Sequence, residues 1–74
     1  MNATLPTPPR TKARRIIRDE SLATSIASDL INCGYWFACQ LLGAAGDQYE
    51  FAVGRENREH LDQIIRSARH RAGK

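Results

Sequence analysis

A chain of 74 residues with a net charge of +3 has room for one small domain, and none of its runs approaches the roughly 18 apolar residues a membrane-spanning helix needs. Its apolar fraction of 42% and charged fraction of 26% are those of a folded domain, which argues against a wholly disordered chain. Two cysteines and two histidines at unrelated spacings form neither a disulfide framework nor a zinc motif, so no metal or cofactor is expected.

The first residues, MNATLPTPPR, lack the basic segment and apolar stretch of a secretory signal, so a cytoplasmic location is expected. In that compartment the Asn2-Ala3-Thr4 triplet is a chance match to a glycosylation acceptor. The proline-rich start reads as a flexible arm, continuing through a basic run to residue 18, ahead of a single α+β domain at 19–74. Within the arm, Ile16 and Ile17 suit a short strand. The absence of Gly and Pro from 10 to 33 would equally let a helix extend backwards. Asp19-Glu20-Ser21 is a helix-start signal, which favours the strand or extended reading before it.

From Glu20 to Cys33, Leu22, Ala23, Ile26, Ala27, Leu30 and Ile31 recur at helical spacing, and Gly34 stands where a left-handed cap belongs. The stretch Tyr35–Val53 then reads as a β-hairpin, with Gly43 to Asp47 as its loop. That loop sets Leu42 against Gln48, Leu41 against Tyr49, Cys39 against Phe51 and Phe37 against Val53. Because strand side chains alternate, these odd-numbered residues of both strands are expected in the core. The even-numbered face carries Trp36, Ala38, Gln40 and Leu42 against Gln48, Glu50, Ala52 and Gly54. Residues Gly54 to Asn57 look like a loop with Asn57 as N-cap. A second helix is expected from Arg58 to about Arg71, with Leu61, Ile64, Ile65 and Ala68 as its apolar stripe.

The expected fold is therefore a small two-layer α+β domain of (β)-α-β-β-α order, its antiparallel hairpin covered on one face by two helices. By element order alone this is a fragment of a ferredoxin-like arrangement. A bare hairpin is marginal in water, so a third strand, from 14–18 or from a second copy, would complete the sheet.

Charge is segregated along the chain. Residues 10–18 hold five bases and no acid, residues 19–54 hold five acids and no base, and residues 55–74 hold six bases and three acids. Two surfaces follow. The outward hairpin face, with Trp36, Gln40, Leu42 and Glu50, is expected to expose Trp36 and Leu42 and to bind a protein partner or a second copy. The alternative is nucleic acid held by Arg10, Lys12, Arg14, Arg15 and Arg18, with Arg66, Arg69, Arg71 and Lys74 at the other end. On that alternative the sheet itself would take no part, because the hairpin contains no base. Cations in a last helical turn also complement the helix dipole, which explains the second group without a ligand. His60 and His70 read as structural or solvated, and Cys33 and Cys39 as reduced, partly buried thiols.

No phosphate-binding loop, nucleophile elbow or metalloprotease helix is present, and catalysis is not expected. The expected function is a small regulator or inhibitor that dimerises or docks on a larger protein complex. Membrane and small-molecule partners are not expected.

Overall fold

The structure, a computed structural model, describes residues 8–73. Its order is a strand β1 at Lys12–Ile17, a helix α1 at Glu20–Cys33, strands β2 at Phe37–Leu42 and β3 at Gln48–Gly54, and a helix α2 at Arg58–Gly73. The expected α+β class is the one found: a three-stranded antiparallel sheet with two helices packed on one face. Residues 1–7 of the arm expected at 1–18, and Lys74, lie outside the described residues.

The basic run forms a strand, and it is the strand the hairpin lacked. β1 joins the far side of β3, giving the order β1-β3-β2, with Lys12 opposite Gly54 and Ile17 opposite Tyr49. This is the strand order of a split β-α-β unit, in which α1 crosses over and the returning strand inserts between β1 and β2. The hairpin register is the expected one, from Phe37 opposite Val53 to Leu42 opposite Gln48. Its loop turns on Gly43 and Gly46, both at positive φ (90° and 66°), where a side chain would be strained.

Local signals account for α1. Asp19 is its N-cap, the carboxylate accepting a hydrogen bond from the Leu22 amide at 3.2 Å. Gly34 ends it in the left-handed conformation at φ 82°. The start of α2 differs from expectation. Gly54 belongs to β3, and Arg55–Asn57 wind into a 3-10 turn that feeds the helix directly, so no loop intervenes and Asn57 is not a cap in front of one. Leu61, Ile64, Ile65 and Ala68 are all buried as the stripe predicts, and the helix continues two residues past Arg71.

Ala13 and Ile17 of β1, Phe51 and Val53 of β3, and Ala23, Ile26 and Leu30 of α1 meet that stripe to form the core. Fully burying one of the larger of these side chains, Val, Ile, Leu or Phe, contributes about 1.5–3 kcal/mol before the entropy cost. Three expected core residues are absent from it. Leu41 is 56% exposed, Cys39 is exposed, and Ile31 is 68% exposed. Ile31 lies at the far flank of its stripe, beyond half-buried Ala27. Leu41 and Cys39 do face the helix side of the sheet, but β2 is an edge strand and the helices leave its far end uncovered.

Candidate functional site

The helix-free face of the sheet is built from the even-numbered residues of all three strands. Lys12, Arg14 and Ile16 of β1 flank Gly54, Ala52 and Glu50 of β3, with Ala38, Gln40 and Leu42 of β2 on the other side. Gln48 completes the Leu42 end and Trp36, just ahead of β2, the opposite one. Among the described residues no helix covers this face, although the Glu56 side chain of the 3-10 turn reaches over Gly54.

Its apolar residues are less open than the sequence implies. Trp36 and Leu42 are half-buried rather than exposed, and Ala52 is almost wholly buried. Trp36 and Lys12 approach from opposite sides of Gly54, and the Lys12 ammonium stands 5.6 Å from the Trp36 ring centroid in a cation–π contact. Gly54 has no side chain, and the Glu56 carboxylate takes up the space a Cβ there would fill, 2.9 Å from that position. The most exposed large apolar group on the face is Ile16, at 46%. Gln40 is open to solvent, while Glu50 is half-buried and 3.9 Å from the Arg14 guanidinium.

One inference from the hairpin alone is corrected here. The absence of bases from 19–54 was expected to leave the sheet face without positive charge. β1 supplies it, because pairing with β3 carries Lys12 and Arg14 onto the face of Trp36. Sequence separation hid this, since the strands meeting at Gly54 are over 40 residues apart.

The basic residues do not act as one group. Arg15 points to the helix side, where its guanidinium donates two hydrogen bonds to Asp62, at 2.8 and 3.1 Å. Those hydrogen bonds hold the Asp62 carboxyl below its ordinary range, against a smaller opposing effect of desolvation, and the charges of Arg15, Arg66 and Arg58 add to them. The Arg15 guanidinium is raised in turn, chiefly by its hydrogen bond to Asp62. Both side chains are over a third exposed, so this ion pair contributes less than about 1 kcal/mol. Arg71 is engaged by Ser25 and Asp29 of α1, at 2.7 and 3.1 Å. Arg10, Arg18, Arg66 and Arg69 are exposed and make no described ion pair.

A separate cluster joins the end of α1 to the start of α2. The Tyr35 hydroxyl is 2.8 Å from His60 Nδ1, the rings meet edge to face, and Cys33 Sγ is 4.0 Å from the same nitrogen. The Tyr35 phenol is pushed up to about 12, first by desolvation and then by its interaction with Cys33. It therefore keeps its proton near neutrality and can donate to His60. The Cys33 thiol donates to the Asp29 carbonyl at 3.2 Å. This polar fastening escaped sequence reading because its members come from elements 25 or more residues apart.

Cys39 lines a cleft of about 170 Å³ with Ala23, Ala27 and Tyr49, and partial burial raises its thiol pKa although the residue as a whole is exposed. A larger concavity of about 620 Å³ is bounded by residues of α2 alone and is open surface. Among the described residues, no three His, Cys, Asp or Glu side chains converge to hold a metal, and no helix is long and apolar enough to cross a membrane. Comparison of the chain with protein-family models, curated proteins and solved structures finds no match.

Proposed function

We propose that this protein is a non-enzymatic interaction module: a small cytoplasmic regulator or inhibitor that dimerises or docks on a larger protein complex through its open sheet face. The observation that carries the reading is the make-up of that face. Ala52 lies between Arg14 and Ala38, Glu50 between Ile16 and Gln40, and Trp36 and Leu42 stand towards opposite ends, so apolar groups and charges of both signs share the face. Apolar anchors interspersed with charges of both signs suit a protein contact, where complementary charge gives specificity. A half-buried Trp braced by Lys12 is a preorganised anchor, which loses little entropy on binding.

A second reading has its own observation. Lys12 and Arg14 beside Trp36 bring cations and an aromatic ring together on a sheet, the combination that holds single-stranded nucleic acid. It is the weaker reading because Trp36 is the one aromatic residue on the face and stacking platforms present several.

Size-exclusion chromatography with light scattering, read at 260 and 280 nm in low and high salt, separates the two. The first reading expects a dimer or a stable complex that is indifferent to salt, carries no excess at 260 nm, and is lost in Ala38→Glu. Ala38 is exposed beside Ala52, so this substitution puts a charge within the face without disturbing the core. A monomer carrying 260-absorbing material that high salt strips away moves the assignment to nucleic acid. Association unchanged by Ala38→Glu rules out the open face as the contact.

A further inference from the structure

β1 is an edge strand, and among the described residues only β3 pairs with it. Its outer edge therefore presents backbone N–H and C=O groups, a template for one more strand once the Arg15 guanidinium, which donates to the Arg14 carbonyl at 2.8 Å, gives up that contact. Between that edge and α2 runs a cleft of about 260 Å³ lined by Arg15, Ile17, Asp62, Ile65, Arg66 and Arg69. Ile17 and Ile65 are buried and floor the cleft, while Arg66 and Arg69 are exposed along its rim. Its one carboxylate, Asp62, is already matched by the two hydrogen bonds from Arg15.

We infer that this cleft is a second docking site, which takes an extended acidic segment of a partner protein as a fourth strand beside β1. Backbone hydrogen bonds to the strand edge would supply affinity, and alternate side chains would supply specificity. Inward side chains of the added strand meet the apolar floor at Ile17 and Ile65. Outward ones lie beside Arg14, which also approaches Glu50, and Lys12, which rests against Trp36, while Arg66 and Arg69, which make no described ion pair, flank the inner side. An acid on either face thus finds a cation, and a segment alternating apolar and acidic residues fits best.

Charge selects this occupant over a second copy of the chain. Two β1 strands laid edge to edge would bring Lys12, Arg14 and Arg15 of one copy against the same residues of the other, and facing like charges destabilise a strand pair. The inference builds on the interaction-module reading but concerns a different surface from the open face.

The probe is a fluorescein-labelled ten-residue peptide of alternating valine and glutamate, followed by anisotropy in low salt. Its controls are a peptide of equal charge with prolines replacing alternate valines, and a twelve-residue oligo(dT). The alternating peptide is expected to bind and to slow amide exchange along β1, and the proline peptide to fail for want of N–H donors. The double variant Arg66→Glu/Arg69→Glu should weaken binding at least about tenfold, and Arg69→Gln should shift it less in the same direction. Both positions are exposed, and an unchanged circular dichroism spectrum verifies the fold. Trp36→Ala should leave peptide binding intact, so failure of the open-face reading and failure of this one are told apart. Equal binding of the proline peptide, no binding of the alternating peptide, or binding of oligo(dT) alone would each overturn the inference.

Discussion

The two edge strands flank the same residues of β3, yet their inward side chains meet different fates. Ile17 and Leu41 both stand opposite Tyr49, and Ile17 is 2% exposed where Leu41 is 56%. Arg15 and Cys39 both stand opposite Phe51: Arg15 is clasped to Asp62 of α2, while Cys39 lines a small cleft beside α1. Only near the start of β2, where half-buried Phe37 stands opposite Val53, does its inner face pack on the core. Alternation thus decides which face a side chain takes, and the position of the helices decides whether that face is covered. The charge of the two edges differs as well. β1 carries three of the chain's bases, and β2 carries none.

The sharpest way to break this comparison is to truncate the two facing residues. Ile17→Ala should cost about 2–5 kcal/mol, enough to unfold most of so small a domain, whereas Leu41→Ala should cost less than about 1 kcal/mol. Urea denaturation followed by circular dichroism measures both, and equal losses would mean that β2 is covered after all. A smaller effect is expected at the Lys12–Trp36 contact, which links the edges across Gly54. Lys12→Gln should lower stability by about 0.5–1 kcal/mol and shift the Trp36 emission. An unmoved spectrum would show that the ammonium does not rest on the ring in solution.

The smallest effect concerns the clasp on β1. Asp62 has a folded-state pKa below its unfolded value, so its stabilisation is fully present above the ordinary carboxylate pKa of about 4 and is lost as pH falls through the folded value. Because the pair is over a third exposed, the amount is a few tenths of a kcal/mol to about 1 kcal/mol. Asp62→Asn should therefore lower the urea midpoint slightly at pH 7 and flatten its decline below pH 4. Parallel pH profiles for the two proteins would remove the clasp from the account of why β1 is held and β2 is not.

What the sequence determined by itself is local. The capping carboxylate of Asp19, the positive φ at Gly34, the Gly-rich hairpin loop and the spacing of Leu61, Ile64, Ile65 and Ala68 act within a few residues of one another. They yield the hairpin register, the reach of α1 and the buried stripe of α2. Tertiary structure decided the rest. Whether 10–18 became strand or helix depended on an open edge of β3 that could accept its backbone, because a strand has no hydrogen-bond partners of its own. That pairing carried Lys12 and Arg14 onto the face of Trp36, clasped Arg15 to Asp62, and left a basic cleft where a fourth strand would fit. The exposure of Leu41 and Cys39 was decided in the same way. Two short helices cannot roof three strands, and the uncovered strand is the one they do not reach.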